Sequence, residues 1–294
     1  MTISRSSILG VLAVVLLLIG QQVVAATIEC IAREDRKPAE VNGKQVFNVE
    51  RTVWLVLKPN APDSYRYLLS YRGVIDQATG QLKSENPSQW SPLSLPWNTG
   101  YLQFSYMKNG KSIDYFGDKM PTFSVIHDKD TTATVQMRYE GADLDCTLVY
   151  SYTVSDTKLV LQVFFAPKIP IERYRLLFRG SMKGNENQLV LTPLRTITRT
   201  EAGNEAHMVE LDPVKEYRLV YSSTQLTAMR SFALITLPGA AMASHVYLPG
   251  EARAIFEYGP STKSATFFLY NPRDDGQAGV DYFNAITLTQ SAGK

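Results

Sequence analysis

Between Thr132 and Phe165 the chain alternates apolar and polar residues with a period of two through three consecutive runs. In TTATVQMRYEG, Ala133, Val135, Met137 and Tyr139 fall on one face; Thr132, Thr134, Gln136, Arg138 and Glu140 fall on the other. CTLVYSYTVSD sets Cys146, Leu148, Tyr150, Tyr152 and Val154 against Thr147, Val149, Ser151 and Thr153, and KLVLQVFFAP sets Leu159, Leu161, Val163 and Phe165 on one side. Successive side chains of a strand point to opposite faces, so this pattern predicts strands with one buried face. The links EGAD and SDTK are short and turn-like, which predicts an antiparallel meander of three strands. A helical fold is excluded over this stretch, because a period of 3.6 would scatter these apolar residues around the axis.

The same reading marks strands at VERTVWLVLKP, which is apolar on both faces and so predicted to be central, and at YRYLLSYRGVID, GYLQFSYM, QLVLTPL, EYRLVYSS, SFALITLPG, EARAIFEYG and ATFFLYNP. Turn signals lie at Ala78–Gln81 and at Asn109-Gly110, the latter suited to a tight hairpin. Sixteen Tyr against eight Met agree with strands, since flat rings pack well on a pleated surface. No stripe of period 3.6 runs beyond about two turns; GVDYFNAITL is the best helix candidate. So many strands with polar outer faces predict an all-β fold, a large two-sheet antiparallel β-sandwich. No repeat or low-complexity linker interrupts the chain. The Pro-, Ser- and Asn-rich segment from Ser84 to Gly100 reads as a long surface loop inside a single domain over residues 27–294; a pair of smaller sandwiches is the alternative.

The N-terminus carries a different pattern. Arg5 precedes the apolar run Ile8–Gly20, and QQVVAA supplies small residues at a cleavage site, so residues 1–26 read as a signal peptide. The run is short for a membrane span, which needs about 20 residues. The expectation is a periplasmic or secreted protein with no membrane attachment after cleavage at Ala25 or Ala26. In an oxidising compartment the only two cysteines, Cys30 and Cys146, are expected to form a disulfide. Closing the loop of 116 residues between them (146 − 30) would contribute roughly 4–5 kcal/mol in the chain-entropy picture.

Charge and motifs exclude several functions. Thirty basic and 28 acidic residues leave a net charge of +2 without a basic stripe, so nucleic acid is not an expected partner. Arg173, Arg175 and Arg179 share one strand face in ERYRLLFRG, which reads as a solvated outer face. No cysteine spacing suits a thiolate metal site, no Gly-rich phosphate loop occurs, and G-x-S-x-G is absent. NPRDDGQAG has acidic residues without EF-hand spacing. Neither a metal nor a cofactor is expected.

LVYSYTVSDTKLVLQVFFA (Leu148 to Ala166), QLVLTPLRTITRTEAG and VYLPGEARAIFEYG resemble, in that order, the central hairpin, the following strand and loop, and a late turn and strand of galactose mutarotase-like β-sandwiches. The resemblance covers about a third of the chain. It implies a fold that often holds sugars. Members of that family follow the hairpin with an Asn-His pair, whose His acts as acid, and end on a Glu base. Here the corresponding stretch, APKIPIERYRLLFRGSMKG, has no His, so mutarotase chemistry by those residues is not implied.

Three histidines are available for acid–base work: His127, His207 and His245. His127 reads as a turn residue and His245 as structural or solvated. His207 and Glu205 share a face on an extended segment and form the candidate catalytic pair. The candidate ligand-binding residues are Trp90, Trp97 and Tyr101, set among Pro, Ser and Asn. Indole faces stack on sugar rings, and binding surfaces concentrate on loops. The sequence therefore suggests an exported protein that binds or processes carbohydrate, with an oligosaccharide or polysaccharide as partner; whether it is an enzyme is left open. The alternative is a non-catalytic cell-envelope interaction or structural domain.

Overall fold

A computed structural model of the chain describes residues 27–58, 66–80, 91–94, 101–116, 121–129, 131–153, 158–181, 188–198, 207–216, 218–223, 232–237, 239–248 and 251–270. These residues form strands and no helix. In chain order the first are β1 (Thr27–Val41), β2 (Lys44–Lys58), β3 (Arg66–Asp76), β4 (Ser91–Ser94), β5 (Tyr101–Lys108) and β6 (Lys111–Asp114). There follow β7 (Thr122–Lys129), β8 (Thr132–Tyr139), β9 (Leu144–Thr153), β10 (Lys158–Pro167), β11 (Arg173–Ser181), β12 (Gln188–Leu191) and β13 (Thr196–Thr198). The last are β14 (His207–Leu211), β15 (Arg218–Ser223), β16 (Phe232–Thr236), β17 (Met242–Leu248), β18 (Glu251–Tyr258) and β19 (Ser264–Tyr270).

Every pairing is antiparallel, in three sheets. A nine-stranded sheet runs β13-β12-β15-β16-β19-β10-β9-β8-β7, and a six-stranded sheet runs β14-β17-β18-β11-β5-β6. Their facing sides close one core. From the nine-stranded sheet come Val135, Met137, Leu148, Tyr150, Leu161 and Phe267; from the six-stranded sheet come Phe104, Leu176, Phe178 and Phe256. This is the expected antiparallel β-sandwich. The predicted meander is present as β8, β9 and β10, with Ala133, Val135, Met137, Tyr139, Cys146, Leu148, Tyr150, Tyr152, Leu159, Leu161, Val163 and Phe165 all buried.

The third sheet departs from the two-sheet expectation. It has four strands in the order β1-β2-β3-β4, and β2 is central, as its apolar pattern predicts. β1 and β2 pair along their full length, from Thr27↔Lys58 to Val41↔Lys44. Val49 and Ile75 of this sheet join the sandwich core, with Phe47 packed against it. The Ser84–Gly100 segment is not loop throughout, because Ser91–Ser94 form β4 against β3. The signal peptide and the helix candidate GVDYFNAITL lie outside the described residues.

The expected disulfide is not found. Cys146 on β9 is a free thiol with no exposed surface, while Cys30 is on β1 of the four-stranded sheet, its backbone paired with Leu55. The alternation that buried Cys146 placed its sulfur inside the sandwich core, among the ring and aliphatic side chains of the meander. Burial pushes its thiol far above the usual range, so it is an inert core residue.

The turns of the sandwich are tied by polar side chains. Tyr115 donates its hydroxyl to the carbonyls of Leu144 (2.6 Å) and Tyr139 (3.2 Å). Asp143, in the β8–β9 turn, accepts from Tyr106 (2.9 Å) and Lys108 (2.9 Å) on β5. These bonds lock the six-stranded sheet to the meander and fix the pose of β5, and so of its outer face.

Candidate functional site

β11 presents the two faces its sequence predicts. Tyr174, Leu176 and Phe178 enter the core, so Arg173, Arg175, Leu177 and Arg179 occupy the opposite, outer face of the six-stranded sheet. The register fixes their neighbours. Ser105, Arg175 and Glu257 lie side by side across β5, β11 and β18, flanked by Asp114 on β6 and Met242 on β17. One step along the strands, Gln103, Leu177, Ile255, Ser244 and Glu210 form the next row. Beyond it stand Tyr101, Arg179, Arg253, Val246 and Met208.

The middle of this face is closed to water although it points away from the core. Leu177 and Ile255 are only 9% and 5% exposed and belong to no part of the main core cluster. Arginine rows stand on both sides of them. The aliphatic stems of such arginines cover apolar surface while their guanidinium groups stay accessible.

At the end near the β5–β6 turn the face carries a depression of about 180 Å³, lined by Ser105, Met107, Ser112, Glu172, Arg173, Arg175 and Glu257. Glu257 is its anchor. The side chain is 18% exposed, and Arg173 Nη1 donates to it. Arg175 is held differently. Its side chain is 42% exposed, its Nε stands 3.9 Å from Glu257 Oε1, and that Nε is shielded from solvent without a hydrogen-bond acceptor. At 3.9 Å the contact is an ion pair and not a hydrogen bond. Glu172 accepts from the backbone N–H of Gly110 at 3.1 Å, which fixes one carboxylate at the rim. The depression thus combines two guanidinium groups, two carboxylates and two serines, all on strands except Glu172, which the Gly110 N–H holds at the rim. That composition suits polar recognition of a hydroxylated or anionic ligand.

The residues singled out in the sequence are distributed unevenly about this face. Tyr101 opens β5 directly opposite Arg179, and Trp97 precedes it by four positions in the chain. Trp90, Trp97 and Glu205 lie outside the described residues. His207 is exposed on the edge strand β14, on the side of the strand opposite Met208 and Glu210, and does not line the depression. His127 pairs with Thr134 beside a bulge in β7. His245 is buried between Val209 and Ala254. Sequence reasoning missed Glu257, Ser105, Ser112 and Glu172. For Glu257, Ser105 and Ser112 the only signal is alternation within their own strands, and Glu172 sits in the bend before β11; their meeting depends on which strands become neighbours. Among the described residues no group of three or more His, Cys, Asp or Glu side chains is arranged to hold a metal ion, and no helix is long and apolar enough to cross a membrane.

No protein-family model matches the chain, and no curated protein matches it. Solved structures do. An α-N-acetylgalactosaminidase from Bifidobacterium bifidum, in complex with GalNAc, is similar over 84% of this chain with 9% identity and a TM-score of 0.49. The chain spans only 38% of that enzyme's length. A GH36 α-galactosidase from Geobacillus stearothermophilus is similar over 83% of this chain and 42% of its own, at 12% identity and a TM-score of 0.39. A galactose mutarotase related enzyme from Lactobacillus acidophilus is similar over 82% of this chain and 98% of its own, at 10% identity and a TM-score of 0.38. Fold alone carries no activity.

Proposed function

We propose that the protein is an exported carbohydrate-binding β-sandwich whose ligand lies on the outer face of the six-stranded sheet. The observation that carries this reading is the depression at Arg173, Arg175 and Glu257. Sugar hydroxyls need donors and acceptors in fixed positions, and this site offers both on strands locked by the Tyr106, Lys108 and Tyr115 bonds. Trp90 and Trp97, set among Pro, Ser and Asn ahead of Tyr101 in the sequence, support the reading, since Tyr101 stands in the row of Arg179. Export rests on the apolar run and small-residue boundary within residues 1–26.

The test is a glycan array probed with the mature full-length chain, followed by calorimetry on any ligand found. Saccharide binding that weakens at least tenfold in a combined Arg173→Ala, Arg175→Ala variant is the expected outcome. Saccharide binding untouched by that variant would move the site elsewhere, with Trp97→Ala as the next variant. A blank array would leave the cell-envelope interaction domain as the better reading. Mass analysis of the protein from its native envelope should show a chain starting after Ala25 or Ala26.

A further inference from the structure

We infer that the ligand of this face is an acidic saccharide, one carrying a carboxylate or a sulfate ester, and that Arg175 reads the acidic group. The inference rests on the carbohydrate reading above and names the ligand class for the same site. Its starting point is an imbalance in the depression. Arg173 already has its partner in Glu257, and Glu172 already has the N–H of Gly110. Arg175 is the guanidinium left with only a 3.9 Å ion pair and with Nε lacking an acceptor.

The Arg175 side chain is 42% exposed, but its Nε–H is shielded from water without an acceptor; leaving such a donor unmet is unfavourable, and satisfying it with an ionised oxygen yields one of the stronger hydrogen bonds in proteins. The guanidinium fork presents two parallel N–H groups along the Nε–Nη edge, matched to the two oxygens of a carboxylate or of a sulfate. Turning that edge toward the depression would satisfy the stranded donor with a ligand anion. Ser105 and Ser112 line the same space and are suited to neighbouring hydroxyl groups of a sugar. Glu257 and Glu172 supply acceptors, so a purely inorganic anion would gain less there than an anion that also carries hydroxyls.

The rest of the face extends the same charge. Arg179 and Arg253 stand directly opposite each other on β11 and β18, a like-charged cross-strand placement that sheets generally disfavour. A polymer with repeated acidic groups running along the strands would meet Arg175 first and this pair next, four residues further along β11. The repeat between alternate strand positions is about 7 Å, so Arg175 and Arg179 are about 13 Å apart in Cα position. That spacing suits an acidic oligosaccharide better than a single acidic sugar.

The test uses the mature full chain and three tetrasaccharide sets of matched length: neutral galactose, galacturonate and sulfated galactose. Titration calorimetry at low and moderate salt is the readout. At least one acidic set should bind tenfold or more tightly than the neutral set, and its affinity should fall as salt rises. Arg175→Ala should remove that preference, while Arg175→Lys, which keeps the charge and loses the fork, should restore only part of it. Arg138→Ala, on the outer face of the nine-stranded sheet, should leave it intact. Circular dichroism melts confirm that each variant is folded. A preference for galacturonate identifies the carboxylate and a preference for sulfated galactose identifies the sulfate; either supports the inference. Equal affinity for neutral and acidic sets would overturn it and leave carbohydrate binding standing. An equal loss in Arg138→Ala would also overturn it, by showing unspecific attraction. No binding to any set would instead remove the carbohydrate reading on which it rests.

Discussion

Among the described residues, His245 is a buried polar group whose titration bears on stability. It faces the core from β17, between Val209 and Ala254, with no exposed surface. Burial lowers its pKa to about 3, partly offset by a hydrogen bond with the Arg253 backbone. The unfolded chain therefore takes up a proton near the ordinary histidine value of about 6.5, well before the folded one does. Stability contributed by neutral His245 is fully present above that value and is lost as pH falls toward 3. The slope from this one group is at most about 1.4 kcal/mol per pH unit. Urea midpoints measured at several pH values between 7 and 4 should fall more steeply for the wild type than for His245→Gln. Parallel pH profiles would remove His245 from the account. Cys146 gives a second prediction at this scale. As a free core thiol it should resist a thiol reagent in the native state, and the unreduced, denatured chain should titrate both of its cysteines. A count of zero would restore the bridge to Cys30.

At the scale of elements, the hairpin turns show how local chemistry sets register. Asn109 and Gly110 have φ of 51° and 69°, the paired positive values of a two-residue turn that matches strand twist. They join Lys108 to Lys111 and so align β6 with β5. Nothing lies within 4 Å of where a Cβ on Gly110 would stand. Alanine there meets no obstacle, only an unfavourable backbone region. Gly110→Ala should therefore destabilise by about 1 kcal/mol, and Gly110→Asn by less, in denaturant melts. An alanine variant as stable as the wild type would contradict the turn geometry. Asn42 and Gly43 repeat the arrangement between β1 and β2, with φ of 53° and 73°. That second Asn-Gly was equally readable, yet β1 was not. Its core sequence AREDRKPAE has no alternation, so nothing in its side chains marks a strand. Pairing with β2 along fifteen positions holds it in place, and backbone bonds leave no trace in composition. β4 and β13 are too short for a pattern to register. The outward placement of Arg173, Arg175 and Arg179 followed directly from the period of two. Glu257 and Ser105 did not follow, because their meeting with Arg175 joins strands far apart in the chain.

On the scale of the whole molecule, three sheets share one apolar cluster, and we propose that residues 27–294 unfold as one unit. Phe104 stands where the six- and nine-stranded sheets meet. Its ring is 5.1 Å from that of Tyr115, 5.8 Å from Phe116 and 5.3 Å from Phe165, the last on the nine-stranded sheet. Val49 and Ile75 bring the four-stranded sheet into the same cluster. Truncating a core aromatic removes its contacts and leaves a cavity, so Phe104→Ala should destabilise by about 3–5 kcal/mol. The four-stranded sheet should feel that loss, although Phe104 is not part of it. Trp54 on β2 supplies the reporter. With Trp90 and Trp97 changed to Phe, it is the last of the three tryptophans, and its fluorescence follows that sheet alone. Urea curves by Trp54 fluorescence and by far-UV circular dichroism should then coincide, as two-state unfolding requires. Both should move together to lower urea in Phe104→Ala. If Trp54 unfolds first and its midpoint ignores Phe104→Ala, the four-stranded sheet is a separate cooperative unit. Coincidence would instead show that Val49, Phe47 and Ile75 couple it to the sandwich, and Val49→Ala should then lower both midpoints together as well.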